Sequence, residues 1–450
     1  MPDRFSTNLD ADVSPLRQPL AFPFSGRVAK NRLMKAAMSE RICTWVHGDP
    51  DASGLPNKEM STLYRHWSHG GFGVVVTGHI LVDPSHIEGP GNAIVPIGAP
   101  FSGPRFEAYK DLAAAGKEGG SLFLGQLNHP GRQTAAMIQP NPVSASDIPM
   151  AEQHFGIAWN KPHAASQSEI RAIVSAFVHS ATYLEAAGFD GVELHGAHGY
   201  LLAQFLSQAT NVRTDQYGGS LENRARIITE IADGIRAATG PTFVLGIKIN
   251  SVEFQERGFT AEEAGELCTV LEAHRFDFVE LSGGTYDDGV WTKRRKRDTT
   301  VKREAFFVEF AEKITPRLEQ TKSYVTGGIR TVGAMLDALQ SVDGVAFGRP
   351  SCTEPRLANE ILSGRAKASI KPLVDEMDYS ITFVLAQGQL SLISRDREPM
   401  DSSDQILMDG FLEDLNEARK QSPPTRVNIR SQEDVPYGQQ GRRGQLLDPV

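Results

Sequence analysis

Residues 189–224 read FDGVELHGAHGYLLAQFLSQATNVRTDQYGGSLENR, and the reading of this stretch decides the fold. It opens with an apolar run of strand character, Phe189 to Leu194, and delivers His195, His198 and Tyr200 directly beyond the end of that run. In a parallel α/β fold the carboxyl ends of the strands are where side chains from several strands converge on a ligand, so titratable groups at a strand exit mark a site. The spacing His-x-x-His leaves two readings. It can place two imidazoles on one side of a turn for a metal, but a catalytic zinc takes three protein ligands, and the ten other histidines give no third-ligand pattern. Alternatively, both imidazoles donate hydrogen bonds to a carbonyl oxygen, with Tyr200 nearby as a proton donor. Gly196 and Gly199, beside the two histidines, argue against residues merely packed in a core.

The stretch continues through RTDQYGGSLENR, residues 213–224, a polar turn in which Gly218 and Gly219 are expected to supply unusual backbone angles. Ser220 then suits an N-cap and Glu222 the first helical turn. Around it, eight β-type runs lie near 32–38, 73–80, 121–128, 189–195, 243–250, 276–282, 322–327 and 344–348, each followed by an amphipathic helical segment. Such alternation predicts a parallel sheet, and eight units predict closure into a single (β/α)8 TIM barrel, an α/β fold that takes about 200 to over 400 residues as one domain. No G-x-G-x-x-G follows the first strand, against a dinucleotide-binding open sheet. An apolar stripe after Ser168 (Ile170, Ile173, Val174, Phe177, Ala181, Leu184) predicts a helix ending at Gly188, and Thr260 with Glu263 forms a capping box for another. Further helices are expected over about 303–319, 332–341 and 355–363.

Two insertions fall on strand-to-helix loops, the face on which a barrel builds its site. The first, Pro130 to Gln167, carries Pro140, Pro142, Pro149 and Pro162 and is expected to form a lid or hairpin. The second, Gly283 to Lys302, contains the basic run Lys293–Arg297, read as a solvated loop in preference to a contact for a nicotinamide phosphate. Beyond about residue 370 the alternation stops. Asp375 to Val450 holds 14 acidic and 8 basic residues, a balance of −6 within the −9 of the whole chain. Residues 1–370 are thus expected to be the barrel and 371–450 an acidic C-terminal extension, with a helix around Ile406, Leu407, Phe411, Leu412 and Leu415, packed on the barrel or on a neighbouring subunit of a homo-oligomer.

The excess of acidic residues and the lack of a basic helix argue against nucleic acid as a partner. No apolar stretch reaches the roughly 20 residues of a membrane span, and MPDRFSTNLDADVSP has no apolar signal core, so a soluble, cytoplasmic protein without a membrane partner is expected. Cys43, Cys268 and Cys352 form no C-x-x-C pair, which speaks against a disulfide framework or an iron–sulfur cluster.

The remaining strand ends carry groups suited to a phosphorylated flavin. TGGIR (326–330) and FGRP (347–350) follow the seventh and eighth runs, the usual phosphate site of such barrels; Gly327, Gly328 and Gly348 let backbone N–H groups approach an anion, and Arg349 can pair with a phosphate in fork geometry. Gln126 offers both a donor and an acceptor to the mixed edge of an isoalloxazine. Lys248, inside the fifth run, would be costly to bury alone and suits negative charge at the N1/O2 side of the ring. Ala36, Ala37, Met38 and Ser39 allow close approach and then supply a hydroxyl.

Together, HGAHGYLLAQFL and RTDQYGGSLENR resemble the core signature of the old yellow enzyme family of flavin-dependent ene reductases. From Leu20 to Ala368 the order NRLMKAAMS, GGFGVVVTG, GQLNHPGR, the central stretch, TGGI and FGRP is similar to that family throughout. The resemblance implies non-covalent FMN in an eight-stranded barrel, NADPH or NADH as reductant, and reduction of an activated alkene in a small-molecule substrate. It implies flavin contacts at Ala37, Ser39, His79, Gln126, Lys248, Gly328, Gly348 and Arg349, a substrate carbonyl on His195 and His198, and Tyr200 as proton donor. The chain departs from the family pattern in four places. Ser39 stands where Thr or Cys is common and Lys248 where Arg is usual; Thr77–His79 replaces an acidic residue and alanine, and Arg41 falls near a frequent aromatic. The competing readings are a metal-dependent barrel hydrolase with His195 and His198 as ligands, and a flavoprotein that has lost turnover or performs a non-reductive rearrangement in a biosynthetic pathway.

Overall fold

Eight parallel strands close into a ring: β1 (Leu33–Lys35), β2 (Val74–Leu81), β3 (Leu122–Asn128), β4 (Gly191–Gly196), β5 (Val244–Asn250), β6 (Phe278–Ser282), β7 (Lys322–Thr326) and β8 (Gly344–Phe347). Each pairs with its sequence neighbour, and β8 pairs with β1 to complete the circle. Closure leaves no edge among these eight strands, and helices cover the outside, so their near-continuous apolar runs are buried on both faces. This computed structural model describes all residues except 1, 8–10, 47, 151–156, 254, 284–309, 377 and 422–450. The basic run Lys293–Arg297, most of the second insertion and the end of the extension therefore lie outside the described residues, as do residues 303–309 of the helix expected over 303–319; of that helix, 310–314 are helical and Thr315–Arg317 form a 3-10 turn.

An antiparallel pair, Leu20–Ala21 with Val28–Ala29, precedes the barrel. Leu20 and Phe22 join Val74, Val244 and Phe278, residues from the first turns of their strands, in one buried cluster that plugs the amino-terminal mouth. With that end filled, a cavity can form only toward the carboxyl ends of the strands. Side chains of alternate strand residues share a face, and the register sets Lys248 beside both His195 and Glu280, and Gln126 beside both Glu193 and His79. Glu193 and His195 are thus successive inward residues of β4, stacked along the barrel axis.

The helix Gln167–Ala186 carries the expected apolar stripe and is capped at Ser166: Ser166 accepts from the Glu169 N–H, and Glu169 reaches back to the Ser166 N–H. Serine at 166 completes the capping box with glutamate three positions on, whereas Ser168 lies inside the first turn. The Thr260–Glu263 box opens helix Ala261–Ala273, and Ser220 caps Leu221–Ala238. Gly219 has the expected positive φ of 82°; Gly218 does not and is required for space, because a Cβ there would sit 2.2 Å from the Arg213 carbonyl oxygen. Helices Val332–Ala338 and Leu357–Leu362 fall within their expected ranges.

Among its described residues the first insertion, expected to form a lid or hairpin, has no hairpin ladder. Val143–Ser144 pairs in parallel with His163–Ala164, and Ala135 bridges Trp159, so the segment folds across itself over the barrel rim. Its prolines remove the donors a hairpin ladder would need. In the extension, helix Gln405–Gln421 matches the expected apolar spacing, while helix Tyr379–Ser394 was not visible as a periodic stripe. Tyr379–Ser394 is apolar nearly all round because it is covered on several sides. It packs on helix Lys58–His69 and on Arg349–Thr353, and its Leu385 and Leu392 share a core with Met408, Phe411 and Leu415. Among the described residues no helix is long and apolar enough to cross a membrane.

Candidate active site

One cavity at the carboxyl ends of the strands is lined by all twelve residues singled out from the sequence: Ala37, Ser39, His79, Gln126, His195, His198, Tyr200, Lys248, Gly327, Gly328, Gly348 and Arg349. They come from seven strand ends, so the barrel brings together residues up to 312 positions apart in sequence, from 37 to 349.

At the end of β4, His195 accepts a hydrogen bond at Nδ1 from the Ala197 N–H (3.3 Å), which leaves its proton on Nε2. That nitrogen lies 3.4 Å from His198 Nδ1, and His198 Nε2 lies 2.9 Å from Ser282 Oγ on β6. A serine hydroxyl can either accept or donate. If His195 Nε2–H donates to His198 Nδ1, His198 carries its proton on Nε2 and gives it to Ser282; when Ser282 donates instead, the His198 proton moves to Nδ1 and both imidazoles have an N–H to offer a ligand. His198 has φ 57°, an unusual value for a side-chain-bearing residue, and it is held there by its N–H to Asn250 Oδ1 (3.1 Å) and its carbonyl to Gln133 Nε2 (3.2 Å). Burial, with neighbouring imidazoles and Lys248 adding to it, keeps both rings well below the usual histidine range, so they are neutral. The Tyr200 ring meets His195 edge to face at 4.7 Å and His79 at 5.1 Å.

His79 reaches the cavity through an irregularity: the β2–β3 register shifts between Val76 and His79. Thr77 Oγ1 takes the Gln126 N–H (3.0 Å) that the regular ladder would have satisfied. This explains why Thr-Gly-His can stand in β2. Burial lowers His79 to about 4.

Two features fit FMN. Gln126 donates through Nε2 to Glu193 Oε1 (2.7 Å), while its Oε1 is buried without a hydrogen-bond partner and lines the cavity, an acceptor suited to a ring N–H. Gly327 and Gly328 line the cavity with φ of 122° and 84°, conformations open to glycine and of the kind a backbone phosphate cradle uses. Beside them, Arg349 is anchored through Nη1 to the Glu376 carbonyl (2.9 Å) and Thr382 Oγ1 (3.1 Å), leaving Nε and Nη2 for a phosphate. Lys248 is ion-paired with Glu280 at 2.7 Å.

Several lining residues were missed in the sequence. Arg330 ends the TGGIR motif and pairs with Glu376 (2.7 Å). Tyr379 and Phe383 enter from the C-terminal helix, whose Gln387 also donates to the Ser39 carbonyl. Arg41, noted as a departure from the family pattern, pairs with Glu88 and places its guanidinium 5.3 Å from the Phe383 ring centre. Glu88 and Phe383 thereby form one wall. No local pattern announces these residues; only Arg330 had a signal, as the charged residue closing a glycine turn.

The structure also assembles a histidine cluster that spacing did not reveal. Ligand atoms of Asp83, His86 and His129 lie within 4.8 Å of one another, the sole such group among the described residues. Yet His86 Nε2 accepts from the Val143 N–H (3.2 Å) and His129 Nδ1 from the Gly131 N–H (3.0 Å), so their protons sit on the nitrogens facing Asp83. A metal needs those nitrogens bare. The trio is a clasp between the β2 and β3 exits, with His86 Nδ1 donating to Asp83 at 2.7 Å.

The sequence profile of the NADH:flavin oxidoreductase / NADH oxidase family matches residues 16–368. The NADH-dependent flavin oxidoreductase nadA of Aspergillus parasiticus is 48% identical over 400 residues, covering 89% of this chain and 90% of that one. The NADH-dependent flavin oxidoreductase iccE of Talaromyces variabilis is 35% identical over 365 residues, covering 75% and 84%. Among solved structures, a 2-naphthoyl-CoA reductase complex superposes with a TM-score of 0.73 at 24% identity over 85% of this chain and 58% of that one. Morphinone reductase in complex with tetrahydroNAD gives 0.63 at 24% identity over 81% and 96%. At that identity the two structures speak for the fold.

Proposed function

Because the chain belongs to the NADH:flavin oxidoreductase / NADH oxidase family, the old yellow enzymes, and is an FMN oxidoreductase that draws on a nicotinamide nucleotide, we propose that it reduces the activated C=C of an α,β-unsaturated carbonyl compound. The observation that carries this reading is the convergence of His195, His198 and Tyr200 on the cavity that Gln126, Lys248 and the two glycine turns also line.

FMN, when bound, would supply the hydride it takes from NADPH or NADH. The chain's own residues do the rest. His195 Nε2–H and His198 Nδ1–H bind the substrate's carbonyl oxygen and stabilise the negative charge that gathers there as the β-carbon is attacked. Being neutral, they do this without handing the oxygen a proton. Ser282 Oγ, 2.9 Å from His198 Nε2, can donate there and so allow the tautomer in which Nδ1 is the donor. Tyr200, whose phenol carries its proton at neutral pH, delivers that proton to the α-carbon. Gln126, Lys248, Ala37, Ser39 and His79 hold the ring, and Gly327, Gly328, Gly348 and Arg349 hold the phosphate. Tyr379 and Phe383, from the C-terminal extension, exclude water and set the shape of the substrate.

The test is the visible spectrum of the purified protein under anaerobic conditions. Flavin colour bleached by NADPH or NADH and restored by a cyclic enone supports the proposal. Colour that bleaches but returns only with oxygen contradicts the alkene assignment.

A further inference from the structure

Glu193 and Glu280 are completely buried, and they flank Lys248 from the strands on either side of β5. They stand directly behind residues that line the cavity: Glu193 Oε1 accepts from Gln126, and Glu280 Oε1 accepts from Lys248 and from Thr326 Oγ1. Their other oxygens, both named Oε2, are buried without a hydrogen-bond partner, and each carboxyl is near enough to alter the proton affinity of the other. Two negative charges facing each other in a buried site repel, and one proton placed between the two carboxyls would relieve that repulsion and give their unpartnered oxygens a hydrogen bond. Among the described residues the cluster has one cation, Lys248. The next, Lys35, is committed to the Val76 carbonyl at 2.8 Å and to the Trp67 ring at 4.0 Å.

We propose that Glu193 and Glu280 share a single proton, held by Glu193, so that Lys248 faces the flavin site as the cationic member of a three-residue cluster with no net charge, and that this balance sets the potential at which bound flavin accepts electrons. The direction of each group's affinity agrees. Burial and then the Glu280 charge push the Glu193 carboxyl well above its usual range. Burial alone would raise Glu280 as well, but Lys248 and the bonds from Glu193, Lys248 and Thr326 outweigh it and leave Glu280 lowered. Glu193 is then a positioning residue: as a neutral acid it accepts from Gln126 and so turns the Gln126 oxygen to the cavity. Glu280 is the counter-charge that moderates Lys248. The two carboxyls look equivalent in sequence, yet they have opposite roles.

The proposal rests on the flavin reading of the site, and the experiment separates the two. Infrared spectra of the holoprotein in H2O and D2O should contain a protonated-carboxyl C=O band that shifts on deuteration and disappears in Glu193→Gln. Spectroelectrochemistry of the same proteins should show a potential nearly unchanged in Glu193→Gln, where one neutral hydrogen-bonding group replaces another. In Glu280→Gln, Lys248 loses its counter-charge, and the ratio of reduced to oxidised flavin at fixed poise should rise about tenfold, about 30 mV for a two-electron couple. A band that survives Glu193→Gln, or equal shifts in the two variants, overturns the proposal. The wild-type spectrum decides it even if a variant fails to fold, because absence of any such band also overturns it. A protein without flavin would defeat the proposed function and leave the infrared result to judge the carboxyl pair.

Discussion

Two adjacent layers of the same barrel handle charge in opposite ways. At the rim, His195 and His198 are imidazoles kept neutral by burial, arranged to answer a charge that arises only during reaction. One inward position deeper on β4, Glu193 belongs to a permanent arrangement of charges with Lys248 and Glu280. The rim has donors without charge. The layer beneath has charge without net excess. Permanent charge in the rim would bind a polar ground state as tightly as the transition state, which does not accelerate a reaction. Permanent charge beneath the cofactor acts on every turnover whatever the substrate, so it belongs on the rigid strand interiors. The site's substrate-facing and cofactor-facing sides should therefore fail differently when altered.

The largest failure is expected where the cofactor is anchored. Arg349→Ala removes the guanidinium beside the Gly327–Gly328 turn, and the variant should purify colourless or lose flavin on dialysis; tight retention of FMN would show that the phosphate lies elsewhere. Within the charged layer, Lys248→Met should lower the flavin potential and slow reduction by the nicotinamide, by about tenfold in the oxidised-to-reduced ratio. An unchanged potential in a variant that still binds FMN would make Lys248 structural.

The neutral layer should reveal itself through acid. His79 and His129 are held by burial at about 4, against 6.5 in an unfolded chain. Between those values the unfolded chain binds protons that the folded one refuses, so stability is intact above 6.5 and is lost as pH falls toward about 4. Thermal midpoints measured across that window should decline steadily; a flat profile would mean that the histidines are solvated and charged. The smallest effect belongs to Ser282→Ala, which removes one hydrogen bond to His198. It should weaken binding of a carbonyl ligand by about 1 kcal/mol and leave the flavin potential where it was. A shift in potential from this variant would blur the division between the layers.

How much of this was legible in the sequence follows from where each residue's partners lie. The eight strands are short apolar runs, and the rim residues stand at their ends beside glycines, so His195, Gln126, Lys248 and Arg349 could be placed before any coordinates. The roles within the charged layer could not. Glu193 reads as one polar letter in an apolar strand, and its proton depends on Glu280, which is 87 positions away in sequence and two strands away in the barrel. Tyr379 and Phe383 were hidden for another reason. Their helix is covered on several sides and so lacks the one-sided stripe by which surface helices are recognised. The prolines of the first insertion argued for irregular structure, but parallel pairing of Val143–Ser144 with His163–Ala164 depends on a chain path that no local signal encodes.

The central claim is that Tyr200 supplies the proton in reduction of an activated alkene. Stopped-flow measurement of the two half-reactions of Tyr200→Phe tests it most directly. Flavin reduction by NADPH or NADH should proceed nearly as in the parent protein, and reoxidation by an enone should slow by about 10²-fold or more, the usual contribution of a positioned proton donor. Equal losses in both half-reactions, or none in either, would contradict the assignment and pass the proton to water or to another side chain.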